Sequence, residues 1–232
     1  EKDSIFFSRA WFENLVATAL EDDQTLLVAC VIEGDRMLAI LPIMKRNSEK
    51  WYSLRNLYTS LYSLLLADSD TQEILTCLAQ GLGQLPLESL QLRPVAEKDK
   101  NINALQQVME FNGFECYRNF QFYNWIHRVQ GKSFKDYMAA RPSRLRNTIA
   151  RKKRKLEREH GYNIRLFIDT DLQQALTDYN AIYTASWKAN ELFDGFIHGL
   201  VTGMSEQGWL RLAILYIAGQ PAAAQIWFVA HG

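Results

Sequence analysis

The chain has 232 residues, of which 48% are hydrophobic and 12% aromatic, enough for a packed core and too apolar for a disordered protein. Lysine plus arginine and aspartate plus glutamate number 26 each, so no net field draws the whole molecule to nucleic acid or membrane. A local asymmetry hides in that balance: Arg141 to Arg158 carries nine basic residues against one acid, Glu157.

Cys30, Cys77 and Cys116 are an odd set without CxxC spacing, in apolar surroundings, and read as reduced core thiols of a cytoplasmic protein. The longest apolar run, around Leu61 to Ala67, is too short to span a bilayer, and no leader peptide is visible. The chain lacks an initiator Met and stops at Ala230-His231-Gly232 directly after a strand-like run, which reads as a fragment.

Along the chain, Trp11, Phe12, Leu15, Val16 and Leu20 form a helical stripe. Thr25–Ile32 and Arg36–Ile43 are β-rich runs joined at Glu33-Gly34-Asp35, a hairpin signal. Trp51–Leu66 reads as extended and aromatic-rich. Asp70–Leu82 is a helix, Leu87–Pro94 a short strand, Asn101–Phe111 a helix closed at Gly113, and Cys116–Val129 alternates as a strand does. A basic helix starts at an Ser143 N-cap and stops at Gly161. Asp169–Asn190 and Phe196–Glu206 are further helices. Trp209–Ala218 and Pro221–Val229 are strands about Gly219-Gln220, a two-residue loop with glycine first, as a type II′ turn requires.

A helix followed by a hairpin thus occurs twice, which suggests a duplicated unit. The expected organisation is residues 1–129 as a first unit, 130–161 as a basic linker helix region, and 162–232 as the start of a second unit. Residues 1–128 and 162–232 are expected to superpose as copies of one topology.

From Arg144 to Gly232 the order is a basic helix, Gly161, Ser186-Trp187-Lys188 at a helix end, Gly208-Trp209-Leu210-Arg211-Leu212, and Gly219-Gln220-Pro221-Ala222-Ala223-Ala224-Gln225. This order resembles the acetyltransferase domain of the CelD/BcsL family, a FemAB-related branch of the GNAT superfamily. The resemblance implies an α/β fold of tandem GNAT-like units: mixed, mostly antiparallel sheets flanked by helices, the first unit degenerate and the second cut short. It implies an N-acyltransferase moving an acyl group from acetyl-CoA or another acyl-CoA to an amine, in an envelope- or polysaccharide-related acceptor that is small or glycan-linked.

GNAT enzymes hold the CoA pyrophosphate on a glycine-rich turn that opens a helix after the fourth strand, where bare N–H groups and the helix dipole meet the phosphates. That turn is expected beyond Gly232, so no cofactor-binding residue is assigned within the chain and tight acetyl-CoA binding by these 232 residues is not expected. The corresponding stretch of the first half, Leu64–Asp70, has no glycine and carries Asp68 and Asp70, which would repel a pyrophosphate. The first unit then serves as scaffold.

Candidate acceptor-binding residues follow. On the basic helix Leu145, Ile149, Lys152 and Leu156 share one stripe, placing Lys152 inward, with Arg144 and Arg146 near it. The ordinary reading of such a run is a solvated helix with snorkelling lysines; the functional one is a surface for an anionic acceptor. Ser186, Trp187 and Lys188 lie at a helix edge which, in the resembled fold, borders the acceptor cleft. Ser186 could equally bond back to its own helix, and Trp187 could fill core. Gln225, amid an apolar strand, is a buried-polar candidate.

His127, His160, His198 and His231 share no metal-ligand spacing, so no metal is assigned, and no catalytic residue is singled out. Two other readings stand beside acyl-CoA chemistry. One is an aminoacyl-tRNA-dependent FemAB-like peptidyltransferase, under which alone nucleic acid would be a partner. The other is a non-catalytic anion-binding module.

Overall fold

The computed structural model describes residues 4–46, 49–67 and 71–230. The chain forms two compact units: Glu1–Phe122 with Leu192–Gly203 and Ala230–Gly232, and Tyr123–Glu191 with Met204–Val229.

In the first unit the Ser8 hydroxyl accepts from Trp11 N and starts α1 (Arg9–Ala19), whose Trp11 and Leu15 are buried. The strands β1 (Gln24–Glu33) and β2 (Arg36–Arg46) pair antiparallel around Gly34, which has φ +57°. Next come β3 (Lys50–Ser53), β4 (Leu65–Leu66), α2 (Thr71–Gly83), β5 (Ser89–Gln91) and α3 (Lys100–Phe111). The sheet runs β1-β2-β3-β5, with β4 also on β2. It is mixed: β3 is antiparallel to β2 and parallel to β5, and α2 makes the crossover that a parallel pair needs.

The sheet buries Leu41 and Ile43 of β2 and Trp51 of β3 against Leu75, Leu78 and Leu82 of α2 and Leu105 and Val108 of α3. Each of those side chains contributes about 1.5–3 kcal/mol on leaving water. The extended reading of Trp51–Leu66 is corrected, since strand structure there is confined to β3 and β4. Asp68, Ser69 and Asp70 lie outside the described residues.

The second unit opens with α4 (Phe134–Ala139), begun by a reciprocal Ser133–Asp136 capping box. The basic helix α5 (Ser143–Glu159) follows. Its N-cap is Pro142, not Ser143: Pro142 has ψ 140°, outside the helical range, and Ser143 is the first helical residue. Gly161 stops the helix as expected, with φ +65° and its N–H donating to Leu156 O at 3.1 Å.

Strands β6 (Asn163–Phe167), β7 (Leu210–Ile217) and β8 (Gln220–Phe228) form a separate antiparallel sheet in that order. Helix α6 (Leu172–Thr184) packs on β7 and β8 and buries Ala175 and Leu176, and Phe167, Leu210, Leu212 and Ile214 of the sheet are buried as well. The helix α7 (Phe196–Glu206) contributes Phe196–Gly203 to the first unit and its last turn, with buried Met204, to the second. The architecture is the mixed α/β class expected: a mixed sheet and an antiparallel sheet with flanking helices, the two hairpins lying in different sheets.

Three local readings are revised. Cys116–Val129 is not a strand; among the described residues no strand pairs with it, and Tyr117, Phe120, Tyr123 and Trp125 are exposed. The β7–β8 loop is Ala218-Gly219, both with positive φ (50° and 77°), the pattern of a type I′ turn rather than II′. The cysteines are free, yet Cys30 and Cys77 are exposed and Cys116 only half-buried.

Candidate functional site

All seven candidate residues lie in the second unit. Helix α5 buries no residue, and Leu145 and Ile149 are 47% and 45% exposed. The inward placement of Lys152 is therefore corrected. Its stripe holds too few apolar groups to seat the helix in a core, and Lys152 is solvent-exposed along with Arg144 and Arg146. Lys153, Lys155 and Arg158 engage Glu157 or Glu159 within the helix, whereas Arg144, Arg146, Arg151 and Lys152 have no ion-pair partner among the described residues. The amino-terminal half of α5 is thus a surface of unneutralised cations.

Helix α6 ends at Thr184, earlier than the expected Asn190, so Ser186 lies in the turn that follows it. Its hydroxyl donates to Tyr183 O at 2.7 Å and accepts from Lys188 N at 3.3 Å, closing that turn. Tyr183 completes the clasp: its hydroxyl donates to Ala189 O at 3.1 Å, its ring stacks on Tyr179, and Lys188 Nζ stands 5.5 Å from its centroid. Trp187 fills no core; it is 93% exposed. The Ser186-Trp187-Lys188 turn therefore presents a free indole and a cation, while the serine hydroxyl is committed to the backbone. Burial, then Glu191 and Tyr183, raise the Tyr179 phenol above its usual value.

Gln225 is exposed rather than buried, and its Oε1 accepts from Trp227 Nε1 at 3.2 Å along the same face of β8. A period-two strand whose other face meets α6 leaves this face to solvent. The structure thus brings Ser186, Trp187 and Lys188 together in one turn and Arg144, Arg146 and Lys152 on one helix, with Gln225 on β8.

Sequence reasoning missed a buried, hydrogen-bonded polar group of this unit. The Tyr216 hydroxyl donates to Asp178 Oδ2 at 2.6 Å, and Gln174 Nε2 donates to Oδ1 at 2.9 Å. Asp178 is 8% exposed. Burial first, then the bond to Asp178, push the Tyr216 phenol up to about 12. The Gln174/Asp178 spacing of four on α6 was the available signal; its partner on β7 was not predictable from spacing.

Tyr216 also lines an open pocket of about 380 Å³ with Tyr162, Asn163 and Arg165, whose guanidinium is paired with Asp171 at 3.0 Å. Tyr216 is neutral over the physiological range, and its bond to Asp178 ties β7 to α6.

Residues 143–232 match the family described as acetyltransferase (GNAT) domain. No curated protein and no solved structure matches the chain. The family match supports N-acyl transfer as the class of activity, with acyl-CoA as donor. Among the described residues no three His, Cys, Asp or Glu side chains gather as a metal site would need, and no helix is long and apolar enough to cross a membrane.

Proposed function

We propose that the protein is a GNAT-type N-acyltransferase of the CelD/BcsL, FemAB-related kind, acting on an amino group of an envelope- or polysaccharide-related acceptor. The observation that carries this is the acetyltransferase match over residues 143–232, which takes in α5, the Ser186-Trp187-Lys188 turn and the whole β6-β7-β8 sheet. Acyl-CoA supplies the activated thioester.

The chain's own residues recognise the acceptor. Arg144, Arg146 and Lys152 of α5 supply cations for an anionic acceptor or its carrier phosphate, because guanidinium and ammonium groups without carboxylate partners are free to take one. Trp187 offers an exposed flat surface for a sugar ring, and Lys188 a second cation. Ser186 shapes the turn that presents them, and Gln225 offers a polar amide on the open face of β8. The first unit serves as scaffold.

The test is amine-dependent thiol release from acetyl-CoA by protein carrying these residues, measured across neutral and phosphorylated amino sugars. Lys152→Ala should raise the acceptor KM about tenfold, the scale of one charge-assisted hydrogen bond, and leave the donor KM unchanged. Arg154→Ala, on the opposite side of α5, should do little. No thiol release with any amine, or equal effects of the two substitutions, defeats the reading.

A further inference from the structure

The parallel strands of the first unit end in two arginines. Arg55 stands two residues beyond Ser53, the last of β3, and Arg93 two residues beyond Gln91, the last of β5. The backbone there is pinned. The Ser53 hydroxyl donates to Arg93 O at 2.6 Å and accepts from Arg93 N at 3.2 Å, and Tyr62 N donates to Pro94 O at 2.6 Å. Asn56, 5% exposed, folds its own loop by accepting at Oδ1 from Tyr58 N at 3.0 Å and Thr59 Oγ1 at 3.3 Å.

This rigid frame holds uncompensated charge and unused donors. Arg55 and Arg93 are both half-buried, and neither has a carboxylate partner among the described residues. Arg93 Nε and Asn56 Nδ2 are buried without any hydrogen-bond acceptor. Burial, and then the charge of Arg93, pull the Arg55 guanidinium below its usual value, and no acid among the described residues relieves it. Half-buried like charges without a counter-ion are costly, and buried donors are normally satisfied. The carboxyl ends of parallel strands are also where open α/β sheets take their ligands.

We propose that Arg55 and Arg93 form a receptor for a phosphate group at the carboxyl ends of β3 and β5. Two guanidiniums match the charge of a phosphate dianion better than that of a single carboxylate, and their forked donors match its several oxygens. The free ion and a monoester offer the guanidiniums the same chemistry. The site is separate from the acceptor-binding residues of the second unit and does not rest on the acyl-transfer reading. It gives the first unit a ligand of its own.

Thermal unfolding of the 232-residue chain in inorganic phosphate, in glycerol phosphate, and in acetate or chloride of equal ionic strength tests this. Saturating phosphate should raise Tm by about 3 °C or more, and acetate or chloride should not. A larger shift with glycerol phosphate identifies the ester as the preferred form. Arg93→Gln and Arg55→Gln should each abolish the shift. In phosphate-free buffer Arg55→Gln should melt at or above the parent, because it removes a repulsion. The proposal is overturned if acetate stabilises as much as phosphate, if either variant keeps the shift, or if Arg55→Gln lowers Tm without phosphate, which would make the pair structural.

Discussion

Tyr216 and Asp178 join strand β7 to helix α6 through a 2.6 Å hydrogen bond, with the phenol as donor. Tyr216→Phe would leave the buried Asp178 with Gln174 as its remaining partner and should cost about 1–3 kcal/mol of stability. The phenol's folded value, about 12, lies above its usual 10.0. The neutral form is therefore favoured by folding, and its contribution is full below the unfolded value and lost as pH rises through the folded one. The stability difference between parent and Tyr216→Phe should accordingly narrow between about pH 10 and 12. Denaturant melts across that window check it; a constant difference contradicts the assignment.

Helix α7 approaches α1 at Gly199, where an added Cβ would overlap Asn14 Oδ1 and lie 3.0 Å from Asn14 Cγ. Asn14 cannot simply swing aside, since it is 8% exposed and its Nδ2 donates to Phe196 O at 3.0 Å. Gly199→Ala should destabilise by about 1–3 kcal/mol. Adding Asn14→Ala should recover part of the loss, a coupling that a double-mutant cycle measures directly. Strict additivity of the two substitutions would show that they do not meet.

Ala218 holds φ +50° as the first residue of the β7–β8 loop, a conformation that costs an ordinary L-residue about 1–2 kcal/mol. Asparagine tolerates it, and an asparagine ahead of Gly219 suits a type I′ turn. Ala218→Asn should raise stability by about 0.5–1 kcal/mol in chemical denaturation. Ala218→Val should lower it, because a branched side chain at positive φ clashes with its own backbone.

Local chemistry was enough to place the elements whose signals lie within one turn of chain. Gly161 ends α5, the apolar spacing of Phe196–Glu206 matches α7, and Gly34 marks the β1–β2 hairpin. The cationic character of α5 also followed from composition, as did its alternative reading as a solvated helix. Tertiary structure decided whatever needed a second segment. Cys116–Val129 has a strand's alternation, and no strand among the described residues pairs with it. Lys152 is exposed because α5 buries none of its residues. Asp178 and Tyr216 are far apart in sequence and meet because α6 and β7 carry them together, and the parallel pairing of β3 with β5 sets Arg55 and Arg93 beyond the ends of neighbouring strands. Periodicity reports which face of an element is apolar, but burial, charge coupling and hydrogen-bond partners depend on what packs against that face.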